Sequence, residues 1–138
     1  MPTEKDHLAL AAHNQHAIDF LLTGGDEFPD WVTTVAFYKA VHLIEALIDR
    51  DYGIHGIDHT QRGRILKGEN RYTNLYRHYN ALKEASSIAR YLAESEGGRS
   101  YRQFTDYLTM DQVKSEILAG RLKSIEKSIS GLKPPKRK

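Results

Sequence analysis

The 138-residue chain contains 40% hydrophobic and 28% charged residues, which is typical of a globular protein and too apolar for a disordered one. Because it contains no cysteine, a disulfide framework, a thiolate nucleophile and a thiolate zinc site are all excluded. The formal net charge of +2 falls short of the basic excess of a dedicated duplex-binding domain.

The ends of the chain bear on its location and domain organisation. The first six residues are polar and charged, unlike a signal peptide, and no segment approaches the roughly 18 consecutive apolar residues of a membrane span. We therefore expect a cytoplasmic protein with no membrane partner. Residues 1–132 are expected to form a single helical domain. Residues 133–138 are expected to form a basic disordered tail, because two prolines cannot continue a helix.

The first predicted helix opens at Thr3, which approximates a capping box with Asp6. Apolar residues at three- and four-residue spacing predict one buried stripe: Leu8, Ala11, Ile18 and Leu22. The pair at 24–25 ends the helix, since glycine tolerates the left-handed conformation found there. The three histidines of this helix are expected to face solvent: His7, His13 and His16.

The second predicted helix is the most strongly patterned. Pro29 and Asp30 supply its start signal, and it is expected to run from Trp31 to about Asp51. Its apolar residues form two rows, the first of Trp31, Val35, Tyr38, His42 and Ala46, and the second of Ala36, Ala40, Leu43 and Leu47. Such a helix must be covered on more than one side. We expect it to be the central helix or to line a homodimer interface; the alternative is a monomer in which the first, fourth and fifth helices enclose it. His42 is expected to be a hydrogen-bonded core residue.

Three further helices are predicted. The glycine-containing segment 53–57 breaks the second helix, and Asp58 caps a short third one. The fourth helix is expected from about Thr73 to Glu96, and an aromatic connection over 101–107 is expected to be pinned onto the bundle. A capping box at 109–112 starts the fifth helix, which stops near Gly131. The predicted fold class is all-α, an antiparallel up-and-down bundle of four to five helices with no strand.

The segment from Arg50 to Arg64 concentrates reactive side chains. It places two histidines, three arginines and two aspartates around a glycine-containing bend. An imidazole exchanges protons near neutral pH, and a guanidinium binds phosphate with its planar fork. Together they supply the acid or base and the cation that metal-independent RNA cleavage requires.

A metal site is not assigned from the sequence. His55 and His59 are four residues apart and could bind zinc on one helical face, with Asp58 or His42 as a third ligand. Gly56 argues against a regular helix through both histidines. We expect neither a metal nor another cofactor.

Several segments together resemble the HEPN superfamily. The resemblance lies in the run 37–47 (FYKAVHLIEAL), in Gly53-Ile54 and Asp58-His59, and in 79–82 (YNAL) leading to 89–91 (ARY). HEPN domains are small helical bundles of prokaryotic toxin–antitoxin and defence systems, often found beside a minimal nucleotidyltransferase. The resemblance covers roughly residues 28–130 and implies a HEPN-like bundle.

Ribonuclease members of that superfamily carry an arginine, then usually asparagine, aspartate or histidine, and a histidine after four to six intervening residues. Arg50, Asp51 and His55 fit this pattern. The resemblance implies that Arg50 binds the scissile phosphate, Asp51 orients the site and His55 acts as general acid or base. Two features depart from the family: the motif closes an early helix instead of riding on a late one, and Gly53 introduces a bend within it.

The subset that this chain resembles more closely keeps the long aromatic second helix and a histidine near position 59, and has no well-defined catalytic motif. The resemblance implies that His59, Arg62 and Arg90 are either structural or in contact with a ligand. Together with Arg64 and Tyr91 they form the predicted ligand- or RNA-contacting set. Arg90 and Tyr91 equally fit a surface pair that closes over the end of the bundle. We therefore expect a non-catalytic, dimeric binding module for a nucleotide, RNA or a partner protein such as a nucleotidyltransferase or antitoxin. The alternative is a metal-independent endoribonuclease of toxin type.

Overall fold

The computed structural model describes residues 2–54, 58–95 and 97–135. Within these ranges the chain forms five helices and no named strand, which confirms the all-α helical bundle. The first four are α1 (Glu4–Leu22), α2 (Pro29–Tyr52), α3 (His59–Gly68) and α4 (Thr73–Tyr91). The last, α5, is continuous over 110–131 and joins Met110–Gln112, the π-helical Val113–Leu122 and Lys123–Gly131. Two 3-10 turns, Asn70–Tyr72 and Phe104–Asp106, precede α4 and α5.

Three of the five helix starts, those of α1, α3 and α5, lie where side-chain capping was predicted. The Thr3 hydroxyl accepts a hydrogen bond from the Asp6 amide, and the Asp6 carboxylate accepts one from the Thr3 amide. The same reciprocal capping box starts α3 at Asp58 and α5 at Thr109. Each box satisfies backbone donors that have no partner inside the helix, so these boundaries depend only on neighbouring residues.

The end of α4 differs from the prediction. The helix stops at Tyr91, not near Glu96, because Leu92 adopts a left-handed conformation with φ of 57°. The Tyr101 amide then donates to the Leu92 carbonyl at 2.8 Å, and Ala93 pairs with Ser100. The turn brings Leu92 against the core and folds the following segment back. Pairing with residues beyond the turn therefore overrides the helical spacing of the sequence.

Helix α2 lies at the centre and packs against α1, α4 and α5. Its second predicted row is largely buried, whereas Trp31, at 56% exposure, and Tyr38 face outward. Three helices of the same chain cover most of α2 and leave Trp31 and Tyr38 exposed. The homodimer and the monomer alternative both stay predictions. By length and composition α2 could cross a membrane, but 67% of its most apolar window is buried inside the molecule, as in the core helix of a soluble protein.

Two predictions for α1 were wrong. His7 is buried, at 6% exposure, whereas Leu8 of the predicted stripe is 46% exposed. The face that packs on α2 contains His7, Ala11 and Ile18, so the stripe is rotated by one residue at its start. His13 and His16 are exposed, as predicted.

The basic tail is described only in part. Residues 132–135 form no regular secondary structure, and residues 136–138 lie outside the described ranges.

Candidate functional site

The predicted catalytic pair, Arg50 and Asp51, lies in a network at the end of α2. Arg50 Nε donates to Asp51 Oδ1 at 2.8 Å, and Arg50 Nη2 donates to the Leu132 carbonyl at 3.1 Å. The Asp51 side chain is fully buried and also accepts from Arg71 Nη2 and the Tyr72 hydroxyl, each at 2.5 Å. Burial and this hydrogen bond raise the pKa of Tyr72. The network joins the end of α2 to the turn before α4 and to the residue after α5. The third predicted member, His55, lies outside the described residues.

Three of the five predicted contact residues meet at one cavity. His59 at the start of α3 and Arg90 and Tyr91 at the end of α4 line a space of about 370 Å³. Four further polar residues line the cavity and were not predicted from the sequence: Lys83, Ser87, Glu94 and Ser95. Lys83, Ser87 and Arg90 recur at spacings of four and three on α4, so they share one helical face. This helical spacing is the sequence signal from which Lys83 could have been predicted as part of the site.

Arg62 lies behind the cavity and fixes the orientation of His59. Its guanidinium is 4% exposed; Nη2 donates to Glu45 Oε1 at 2.6 Å and Nη1 lies 3.0 Å from His59 Nδ1. A guanidinium has no acceptor, so Nδ1 accepts and Nε2 carries the proton of the neutral imidazole. Burial lowers the pKa of His59, and the charges of Arg62, Lys83 and Arg90 lower it further. The lowered pKa favours the neutral imidazole, which donates through Nε2. The ring stacks on Phe37, with centroids 5.9 Å apart.

Arg90 connects the cavity to exposed aromatic rings. Its guanidinium lies 5.9 Å from the ring centroid of Tyr38 and 5.1 Å from that of Tyr91. It also lines a neighbouring hollow of about 240 Å³ that includes Trp31. Tyr91 is 68% exposed. We refer to this combined region as the aromatic–basic surface, formed by Trp31, Tyr38, His59, Lys83, Arg90 and Tyr91.

Arg64, the remaining predicted contact residue, lies elsewhere. It is exposed and lines a separate hollow of about 280 Å³ with Tyr52, Ile54 and Ile65. The structure therefore does not bring Arg64 together with the aromatic–basic surface.

A group of potential metal ligands occurs between α1 and α2. Among the described residues, His7, His42 and Glu45 have ligand atoms that all lie within 4.8 Å of one another. His42 is partly buried and hydrogen-bonded, as predicted, through its contact with His7. Burial lowers the pKa of His42, which favours the neutral imidazole that metals bind. His59, considered above as a zinc ligand, instead contacts Arg62.

Comparison with known proteins found no matching family model, no matching curated protein and no matching solved structure. The HEPN resemblance therefore rests on the sequence segments that suggested it.

Proposed function

We propose that this protein is a non-catalytic binding module that holds a nucleotide, free or within single-stranded RNA, on the aromatic–basic surface. The observation that carries the proposal is the placement of Lys83, Arg90 and the exposed Tyr91 around one cavity. Two further exposed aromatic side chains lie beside Arg90: Tyr38 below its guanidinium and Trp31 in the neighbouring hollow. Cations bind phosphate, and aromatic faces stack on bases with little regard to sequence. Stacking contributes roughly 1–3 kcal/mol per base in such surfaces.

The other polar groups of the cavity suit the rest of a nucleotide. The proton on His59 Nε2 can be donated to a phosphate oxygen. Glu94 lines the same cavity and can accept a hydrogen bond from a ribose hydroxyl or from a base amino group. Since the 2′-hydroxyl distinguishes RNA from DNA, a carboxylate here favours RNA.

The remaining parts of the proposal come from the sequence. We infer a HEPN-like antiparallel, up-and-down bundle that acts in the cytoplasm within a toxin–antitoxin or defence system, as a homodimer or beside a partner nucleotidyltransferase. The single-chain structure leaves Trp31, Tyr38 and Tyr91 exposed on the aromatic–basic surface, which suits contact with a ligand.

The contacts of Arg50 in the predicted ribonuclease motif support a structural role for this residue. Two of the three guanidinium nitrogens of Arg50 are hydrogen-bonded within the fold, Nε to Asp51 and Nη2 to the Leu132 carbonyl. An arginine held in this way is a structural cross-link between α2 and the end of α5. The endoribonuclease alternative would require Arg50 to bind a scissile phosphate in addition to these contacts or in place of them.

Fluorescence anisotropy of a labelled single-stranded RNA tests the proposal. We expect Lys83→Gln and Arg90→Gln each to weaken binding about tenfold, equivalent to roughly 1.4 kcal/mol. Lys5→Gln, on an exposed position of α1, and Arg64→Gln, in the separate hollow, are the matched controls and should bind like wild type. Equal weakening by the controls would show only diffuse charge attraction and would contradict the assigned surface.

Two further measurements distinguish a mononucleotide ligand from an RNA strand and binding from RNA cleavage. Competition by a nucleoside monophosphate would indicate a mononucleotide site, whereas competition by oligonucleotide alone would indicate an RNA strand. The same RNA, incubated with wild type in EDTA and run on a denaturing gel, should stay intact. Cleavage that disappears in Arg50→Ala and in His55→Ala would establish the endoribonuclease alternative instead.

A further inference from the structure

The structure assigns a second site, independent of the aromatic–basic surface: we propose that His7, His42 and Glu45 bind a divalent transition-metal ion such as Zn²⁺. The three side chains join the first turns of α1 to the second half of α2. Histidine nitrogen and carboxylate oxygen are established zinc ligands, and three protein ligands leave a fourth position for water.

The distances within the cluster fit one small ion. His7 Nδ1 lies 3.1 Å from His42 Nδ1 and 3.2 Å from Glu45 Oε2, and His42 Nδ1 lies 3.9 Å from Glu45 Oε2. Ligand bonds of about 2.0–2.1 Å at tetrahedral angles place neighbouring ligand atoms about 3.3 Å apart. The observed triangle therefore reaches this geometry with side-chain adjustments of a few tenths of an ångström.

The cluster is chemically suited to a cation. The Nδ1 atoms of His7 and His42 face each other, and both lie near Oε2 of Glu45. The two imidazole rings are stacked, with centroids 5.4 Å apart. An ion at their centre would accept all three lone pairs at once, whereas a proton can satisfy only one pair of atoms at a time.

Surrounding groups hold the ligands in place. Arg62 Nη2 binds Glu45 Oε1, and this leaves Oε2 directed at the histidines. Such a hydrogen bond to the other oxygen of a carboxylate ligand orients it for the metal. His7 is buried between two long helices, and His42, the more exposed of the two histidines, provides access from solvent.

The ligand set also predicts selectivity. Two nitrogens and one oxygen suit Zn²⁺ and its neighbours in the first transition series. Mg²⁺ and Ca²⁺ prefer sites made of oxygen ligands alone. We therefore expect Zn²⁺ to bind and Mg²⁺ to have no effect at the same concentration.

Calorimetric titration of untagged protein with Zn²⁺ tests the site. A His13→Ala/His16→Ala chain serves as the reference, because it removes the two exposed histidines of α1. We expect this reference to bind one equivalent of Zn²⁺ and to unfold at higher temperature with the ion than without it, since a ligand specific to the folded state stabilises it. Adding His42→Ala should weaken binding at least tenfold. Binding unchanged by that substitution, or no binding by the reference, would overturn the proposal.

A second, spectroscopic measurement tests the site if His42→Ala perturbs folding. Circular dichroism checks each variant, and Glu45→Gln removes the carboxylate charge while its amide oxygen can still accept from Arg62. Co²⁺ bound by the reference should give the intense visible absorption of a four-coordinate ion, and Glu45→Gln should reduce it. A weak six-coordinate spectrum would contradict the assigned geometry. Neither readout depends on RNA binding, so failure here leaves the proposed function standing.

Discussion

His59 shows how neighbours set the charge state of a single side chain. Burial lowers its pKa, and Arg62, Lys83 and Arg90 act in the same direction, against an opposing effect of Asp58. The unfolded chain takes up a proton on this residue near pH 6.5, and the folded chain does so only at lower pH. Stability therefore falls as the pH falls through about 6.5, and this loss stops below the pKa of the folded state.

We expect the titration of His59, followed by two-dimensional NMR, to have its midpoint below 6.5. Lys83→Gln removes one of the cations that lower the pKa, so its midpoint should lie above that of wild type. In urea unfolding, His59→Gln should lose less stability than wild type between pH 7.5 and 5.5. A wild-type midpoint above 6.5 would contradict the described environment of this residue.

Asp51 shows how one buried carboxylate connects two segments of the chain. Its partners come from the end of α2 (Arg50) and from the turn before α4 (Arg71 and Tyr72). Removing one member of a buried ion pair leaves uncompensated groups and typically costs 3–5 kcal/mol. Arg50 and Arg71 are each about a quarter exposed and can regain water, so the lower end of this range applies.

We therefore expect Asp51→Ala to lower the free energy of unfolding by about 3 kcal/mol in urea denaturation. Asp51→Asn should cost less, since its amide oxygen can still accept from Tyr72. Asp26→Ala, at an exposed turn position, is the matched control and should stay within about 0.5 kcal/mol of wild type. If Asp51→Ala unfolds at the same urea concentration as this control, the network does not stabilise the fold.

The elements show which parts of the fold could be predicted. The starts of α1, α3 and α5 were predictable because capping boxes involve residues three positions apart. The end of α4 was not, because Leu92 is held in its left-handed conformation by contacts with Tyr101, a residue beyond the turn. The local sequence therefore predicts where a capped helix starts, but it does not predict a helix end that depends on a contact between distant residues.

The candidate sites likewise depend partly on residues that are neighbours in the sequence and partly on contacts between distant ones. His59, Arg90 and Tyr91 were proposed from the sequence, and the structure brings them together. Lys83 lies on the same face of α4 as Arg90, whereas His59 reaches them through the packing of α3 on α4 and Glu94 through the turn after Leu92. The pairing of His7 with His42 depends on how α1 lies along α2, and a single sequence does not specify that rotation.

The aromatic–basic surface is formed by residues from three helices, α2, α3 and α4. Helix α2 contributes Trp31 and Tyr38, α3 contributes His59, and α4 contributes Lys83 and Arg90. No single element contains a complete nucleotide site. A nucleotide bound on this surface would therefore contact more than one helix at once.

Intrinsic fluorescence of Trp31 tests this claim most directly, because it is the only tryptophan in the chain and lies on the proposed surface. A base that stacks on the exposed indole should quench its emission, and the quench should saturate with single-stranded RNA. Arg90→Gln should shift that saturation to higher RNA concentration, whereas Arg64→Gln should not. RNA binding detected by anisotropy without any change in Trp31 emission would place the ligand elsewhere and contradict the account.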